Sequence, residues 1–260
     1  MKKNKWLGAS IFFALLVVWG VLYSRSGTVS IELFPKRTFE VFPLNDAAVG
    51  GYSTSEVQMT DSLLIASVSI RLGKAFTYAG VGFNLKSVDN RPVGLMDLTK
   101  YDSMEVHVAS KRMNSMKLRL LTDDPVYSRK DDYASLRVLE KTVPSAPYLL
   151  MGGAKERFAV SKFSLTEFKV SERWLSLQGL DEDDGKTYLN RASFFEIVSG
   201  NSTLRGIPDE MEIRYVRLWG DNSEMRKILY FVLGGILLGF VLFVGTLFVR
   251  RRAYAKKLDA

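Results

Sequence analysis

The chain has no cysteine and one histidine among its 260 residues. Without thiols there is no disulfide framework, no thiolate metal site and no cysteine nucleophile. The lone histidine, His107, excludes a His-rich metal site and argues against a His-based triad. Charge is missing from two long stretches, residues 6–23 (WLGASIFFALLVVWGVLY) and 228–249 (ILYFVLGGILLGFVLFVGTLFV). As helices they would extend roughly 27 and 33 Å, against a hydrocarbon core of about 30 Å. They are read as two membrane spans, which excludes a plain soluble enzyme. Neither contains Asp, Glu, Lys, Arg or His, and their only side-chain hydroxyls are Ser10, Tyr23, Tyr230 and Thr246. Ion paths and proton relays need ionisable groups within the bilayer, so transport by this chain alone is disfavoured.

The net charge of +8 does not point to nucleic acid once the chain is partitioned. Lys2, Lys3 and Lys5 precede the first run. Seven bases and one acid fall within residues 226–260, which leaves residues 24–225 at −1. The excess sits at the membrane flanks, and the large middle region has no bulk attraction for a phosphate backbone. Lys and Arg near span ends prefer the cytoplasm. The outer flanks hold three and five bases, against Arg25, Arg226 and Lys227 on the inner flanks. Both termini are therefore expected in the cytoplasm of a plasma (inner) membrane. The middle region would then be extracytoplasmic, in the periplasm of a Gram-negative cell. Trp6, Tyr23 and Tyr230 stand where interfacial anchors stand. A cleaved signal peptide is the rival reading of residues 1–25, but the apolar stretch is long and Val21-Leu22-Tyr23-Ser24-Arg25 offers no small-x-small site.

Gly235 and Gly239 form a G-x-x-x-G pair, expected to pack helices within the chain or between copies. The eleven-residue tail from Arg250 to Ala260 is too short for an effector domain, and its pattern would also suit the start of a helical linker.

Between the spans, apolar and polar residues alternate at period two, the signature of half-buried strands. Leu64, Ala66, Val68 and Ile70 share one face; so do Val81, Phe83 and Leu85; Met104, Val106 and Val108 alternate with Glu105 and His107. Leu118 and Leu120 flank Arg119, Leu136 and Val138 flank Arg137, and Phe194–Val198 and Glu212–Leu218 are further short runs. Turn clusters separate them: Asp89-Asn90-Arg91-Pro92, Lys111–Ser115, Asp123-Asp124-Pro125, Met151-Gly152-Gly153, Asp181–Gly185 and Gly200-Asn201-Ser202. Many short strands at this spacing indicate an all-β sandwich of antiparallel sheets, with Ser24–Ser30 as the hinge to the first span.

The order of features resembles the galactose-binding-domain-like jelly roll, a superfamily that includes carbohydrate-binding modules and the complex I intermediate-associated assembly-factor domain. The segments that carry the resemblance are Tyr78–Phe83, Leu98–Val106, Leu118–Thr122, Phe158–Phe168 with Arg173-Trp174-Leu175, and Ile207–Ile213 leading to Leu218-Trp219-Gly220. It covers roughly residues 30–222 and rests on glycine turns and core aromatics. It implies an all-β jelly-roll sandwich flanked by two transmembrane helices, with first and last strands close together. It implies a binding or scaffolding module rather than a catalyst, and it transfers no ligand site. Related jelly rolls often carry a structural calcium. The acidic clusters Asp123-Asp124, Asp131-Asp132 and Asp181-Glu182-Asp183-Asp184 are the places to look for one, although none has an EF-hand spacing.

Aromatic rings could stack on sugars, but Tyr101, Tyr127, Tyr133, Tyr148, Trp174, Tyr188 and Trp219 must first be weighed as core residues. Trp174, beside Leu175 and Leu177, reads as core. Tyr127 and Tyr133 flank the charged loop Ser128-Arg129-Lys130-Asp131-Asp132 and are expected to be exposed. Tyr127, Arg129, Asp131, Asp132 and Tyr133 are the candidate ligand-binding residues. His107 reads as a surface or satisfied residue, and Asn201-Ser202-Thr203 as a turn, or as a glycosylation acceptor only in a eukaryotic secretory route. The leading expectation is a non-enzymatic two-pass membrane protein. It would recognise a glycan or an envelope protein and act as a scaffold subunit with another membrane protein or a second copy. No nucleic acid and no cofactor are expected, structural calcium aside. The alternatives are a sensory input module whose output lies in a partner chain, and a polysaccharide-acting enzyme using an acidic pair.

Overall fold

The computed structural model describes residues 3–36, 38–47, 50–71, 77–89, 91–148, 157–181, 185–200 and 203–258. The expected turns at Asn90, Met151-Gly152-Gly153 and Asn201-Ser202, and the acids Glu182-Asp183-Asp184, lie outside the described residues. So do Lys2 and Asp259. The chain divides into two compact units: Ser30–Gly220, and the terminal segments Met1–Val29 and Asp221–Ala260 together.

The unit Ser30–Gly220 is a β-sandwich of two seven-stranded sheets. Its strands are β1 (Thr28–Phe34), β2 (Phe39–Asn45), β3 (Thr54–Met59), β4 (Leu64–Ser69), β5 (Ala79–Val88), β6 (Arg91–Pro92) and β7 (Ser103–Ser110). The second half adds β8 (Ser115–Thr122), β9 (Arg137–Pro144), β10 (Ala146–Pro147), β11 (Ala159–Ser164), β12 (Lys169–Val170), β13 (Ala192–Ser199) and β14 (Asp209–Asp221). The first sheet runs β10-β7-β14-β4-β3, with β1 beside β14 and β11 beside β7; the second runs β12-β9-β8-β13-β5-β2, with β6 on β5. Partners remote in sequence form the centre of each sheet, β7 with β14 and β8 with β13, while the chain passes repeatedly from one sheet to the other. First and last strands are neighbours, as expected.

The period-two faces are where the sequence places them on β4, β5, β7 and β8, but not on β9, where Leu139 and Val143 enter the core and Val138, with Glu140, lines an outer cavity. Met104, Val106, Val108, Leu118, Leu120, Phe195 and Ile197 are all fully buried in one core. Phe83 and Phe195, from adjacent strands, meet there with ring centroids 5.9 Å apart. Each such side chain contributes about 1.5–3 kcal/mol by leaving water. The helices are α1 (Lys3–Ser26), α2 (Glu172–Gln178) and α3 (Ser223–Leu258). The short α2 buries Trp174 and Leu175, so Trp174 is a core residue on a helix rather than a strand. It ends at Gly179, whose φ of 65° is a left-handed cap that favours glycine.

In the terminal unit, α1 and α3 pack antiparallel through aromatic contacts. Phe12 stacks on Phe240 at 4.1 Å, Trp19 Nε1 donates to the Leu229 carbonyl at 2.7 Å, and the Tyr23 and Tyr230 hydroxyls lie 3.3 Å apart. The segment Ser223–Val249 is long and apolar enough to cross a membrane, and the apolar stretch described in α1, Ser10–Ser26, is shorter. Of the two expected spans, α3 alone reaches that length among the described residues. It also runs beyond the expected 228–249 at both ends. Within the segment Ser24–Ser30 expected as the hinge, α1 runs to Ser26 and β1 begins at Thr28. Between them the Gly27 N–H donates to the Tyr23 carbonyl and the Gly27 carbonyl accepts from the Asn222 N–H. The expected helix-packing pair Gly235 and Gly239 lies on α3. A side chain built on either would meet nothing within 4 Å, and both line an open apolar groove of about 580 Å³ with Ile11, Phe12 and Leu15.

Candidate functional site

The outer face of the second sheet holds a row of charged side chains. Because Met116, Leu118 and Leu120 point into the core, the pleat turns Lys117, Arg119 and Leu121 outward on β8. By the same rule Phe194, Glu196 and Val198 face outward on β13. Strand register then aligns Glu140, Arg119, Glu196, Gly82 and Phe42 in one row across five strands. A side chain at position 82 would collide with the Phe42 ring, so glycine is what lets that ring lie against β5. Phe42, Leu44, Tyr78, Tyr133 and Val198 form a small apolar cluster on this face. Its cover leaves Glu196, though outward-facing, with 0% exposure.

Arg119 organises the row. Its Nη1 lies 3.1 Å from Glu196 Oε2 and its Nε 3.8 Å from Glu140 Oε1, while Lys117 Nζ is 2.9 Å from Glu140 Oε2. The guanidinium sits 4.9 Å from the Tyr78 ring centre, and the Tyr133 hydroxyl donates to Glu196 Oε1. Burial raises the Glu196 carboxyl above its ordinary pKa, against the pull of Arg119. Burial, and then Glu196, likewise raise the Tyr133 phenol. Burial disfavours the Arg119 charge, but Glu196 and Tyr133 outweigh it and raise the guanidinium. The Arg119–Glu196 contact is an ion pair by distance without a well-aligned N–H, and it leaves Arg119 Nε and Glu196 Oε2 with no hydrogen bond among the described residues.

Three cavities run along this face. The first, of about 240 Å³, is lined by Thr77, Lys117, Ser199, Thr203 and Arg205 among others. The second, of about 120 Å³, has a more apolar wall of Leu121, Val138, Trp174 and Leu177. Tyr78, Arg119 and Glu140 line both. The third, of about 600 Å³, is bordered by the loop between β8 and β9 and shares Tyr133 with the second.

That loop is the one singled out from sequence. Arg129, Asp131, Asp132 and Tyr133 line the third cavity, and Tyr127 does not. Arg129 is exposed and pairs with Asp132 at 3.0 Å. Asp131 takes a φ of 60°, uncommon for a residue with a side chain, at the tight turn. Asp132 accepts from the Ala134 N–H and opens the short 3-10 turn Tyr133–Ser135. The expected exposure of the two tyrosines is corrected. Tyr127 is half-buried, edge-on to Trp174 at 5.7 Å, and Tyr133 turns inward to Glu196. Both are amphipathic, and each finds an apolar neighbour that a solvent-facing pose would forgo.

Three of the loop acids are taken up by arginines. Arg191 pairs with Asp123, Arg137 with Asp124 at 2.7 Å, and Arg129 with Asp132. Among the described residues no group of three or more His, Asp or Glu could hold a metal ion. His107 sits on the outer face of the first sheet, with Nε2 2.8 Å from Glu105 and its ring 5.2 Å from Tyr215. Tyr188 packs beneath Arg137 at 5.3 Å, and Tyr148 beneath Arg157 at 4.7 Å, where burial and then Glu212 push its pKa up to about 12.

Sequence reasoning missed Tyr78, Glu140 and Glu196. One signal was present: Glu196 is a lone acid inside the apolar run Phe194–Val198. An acid there must either face water or have a partner, and Arg119 is that partner.

No family model and no curated protein matches the chain. Solved structures do. The family 11 carbohydrate-binding module of the cellulosomal cellulase Lic26A-Cel5E of Clostridium thermocellum is similar at 9% identity, over 74% of this chain and 94% of that one, with a TM-score of 0.48. A family 30 carbohydrate-binding module is similar at 11% identity, over 75% and 99%, with a TM-score of 0.45. The laminarinase catalytic domain of Thermotoga maritima is similar at 13% identity, over 74% and 97%, with a TM-score of 0.38. At such identities no binding residue and no ligand comes with the likeness.

Proposed function

We propose that this protein is a membrane-anchored, non-catalytic binding module that takes a saccharide chain along the outer face of its second sheet. The observation that carries the reading is the run of three cavities joined by Tyr78, Arg119 and Glu140 at one junction and by Tyr133 at the other. A small ligand needs one pocket, whereas an oligosaccharide needs successive sites. These sites offer hydroxyls, charged groups and aromatic faces of the kind that bind sugars. Glycosidic cleavage needs two carboxyls that reach the sugar; fully buried Glu196 leaves Glu140 alone in the row, and Asp124 and Asp132 of the third cavity are each paired with an arginine. Leu177 is 70% exposed on the wall of the second cavity, so enlarging it does not touch the core. Affinity electrophoresis of the full chain in lipid nanodiscs against a polysaccharide panel tests the reading. Retardation by at least one glycan is expected, and it should be abolished in Leu177→Arg at unchanged Tm. Migration unaffected by every glycan refutes it.

The anchor in this reading is two-pass, with both termini cytoplasmic and the sandwich outside. The aromatic group Trp19, Tyr23 and Tyr230 supports it, lying on the helix ends nearest the sandwich in sequence, with the basic clusters at the opposite ends. The open Gly235–Gly239 face is the surface offered to a further membrane helix, from a second copy or a partner. Alkaline phosphatase fused after residue 260 or before residue 1 is expected to be inactive in a bacterial host, and active when inserted near Val126. Activity of either terminal fusion contradicts the topology. A second reading, a sensory input to a partner chain, draws on one feature: α3 continues unbroken from Ser223 through the basic segment to Leu258.

A further inference from the structure

Resting on the saccharide reading, we infer that the first cavity selects an acidic sugar and holds its carboxylate between Arg205, Lys117 and Arg119. The three cations line one space of about 240 Å³ together with the hydroxyl residues Thr77, Ser199 and Thr203. Two of the cations are already answered by acids. Arg119 meets Glu196 at 3.1 Å, and Lys117 meets Glu140 at 2.9 Å. Arg205 is exposed and is paired with no acid among the described residues.

Among the described residues lining the cavity, Arg205 is thus the cation left without an acid. One vacant charge matches a monoanion, the state of a uronic acid near neutral pH, better than a doubly charged phosphate. Guanidinium groups present paired N–H donors that suit a planar carboxylate, and the surrounding hydroxyls suit the ring hydroxyls of the same sugar. Arg119 is fixed from beneath by Glu196 at 3.1 Å and by Glu140 at 3.8 Å. The polar floor is thus built before any ligand arrives, and less ordering is needed on binding. The second cavity, with Leu121, Val138 and Leu177 in its wall, lacks this charge and suits the apolar face of a neighbouring sugar.

The test uses the full chain in lipid nanodiscs, titrated calorimetrically with oligogalacturonate, oligomannuronate and a hyaluronan hexamer. Each is measured beside its carboxyl-reduced, neutral form and beside a neutral glucan panel. At least one acidic oligomer is expected to bind roughly tenfold or more tightly than its reduced form, as one charge-assisted contact implies. That preference should fade in 0.5 M salt, where the Debye length falls to about 4 Å. Arg205→Gln, a change at an exposed position, should weaken binding of the acidic oligomer roughly tenfold more than binding of its reduced form. Equal binding of acidic and reduced forms, or binding of neutral glucans only, overturns the carboxylate site while the saccharide reading stands. Binding to no glycan of either class overturns both.

Discussion

Replacing Arg119 with alanine is expected to destabilise the sandwich by about 3 kcal/mol at neutral pH, a typical cost of orphaning one half of a buried ion pair. For a domain of this size that is a fall in Tm of roughly 6–12 °C. Almost all of the loss is assigned to Glu196. The Glu140 contact is longer, at 3.8 Å, and partly exposed, and such pairs are worth about 1 kcal/mol or less. The dependence on pH separates the two. The Glu196 carboxyl is raised above its usual 4.5 by burial. A carboxyl raised in the folded state holds its proton more tightly there than in the unfolded chain. Its contribution is fully present below about 4.5 and is lost as pH rises through the folded-state value. Removing Arg119 raises that value further, so the deficit of Arg119→Ala should shrink between pH 8 and pH 5. The pair replacement Arg119→Met with Glu196→Gln, which leaves no charge to orphan, should recover most of it. Thermal unfolding at pH 5, 6.5 and 8 measures this. An equal deficit at all three would show that the arginine does not serve the buried acid.

The second large effect belongs to Asp124. Its carboxylate accepts from Arg137 Nε at 2.7 Å and from the N–H groups of Val126 and Tyr127, at 2.8 and 3.2 Å. Arg137 in turn donates to the Lys186 carbonyl at 2.8 Å and lies 4.4 Å from the Trp174 ring centre. Both side chains are almost wholly buried, at 0% and 3% exposure. Asp124→Ala removes the buried carboxylate 2.7 Å from Arg137 and releases the turn that begins the loop, at an expected cost of about 3 kcal/mol. Asp124→Asn keeps the two N–H acceptor contacts and should retain the turn at an intermediate stability. The loop carries Arg129 and Lys130 at its exposed tip, so tryptic cleavage there should be many times faster in Asp124→Ala than in wild type. Unchanged cleavage would mean the loop is held by its other contacts, such as the hydrogen bond from Arg129 N to Ser135 Oγ.

The row Glu140–Arg119–Glu196 shows where reading along the chain stops. Each residue sits in a strand that period-two alternation identifies, and alternation alone places Arg119 on the face away from Leu118 and Leu120. Nothing along the chain says that positions 119, 140 and 196 are neighbours, because that depends on the register of β8 against β9 and β13. The charged loop was found because it is compact in sequence. Its tyrosines were misjudged because their partners, Trp174 and Glu196, come from elements far along the chain. The glycine pair in α3 was legible as a motif, but only the aromatic packing of α1 on α3 left that face open.

Local pattern by itself determined many of the strands, the two uncharged runs, the near-neutral middle region and the buried face of most of those strands, while β1, β2 and β3 were not read from it. These follow from side-chain periodicity and charge position, which any segment carries with it. Tertiary structure decided which acids meet which arginines, that Glu196 is sealed from water, and that three cavities line up on one sheet face. Those depend on strand pairing across long loops, where single hydrogen-bond registers bring distant residues within 3–4 Å.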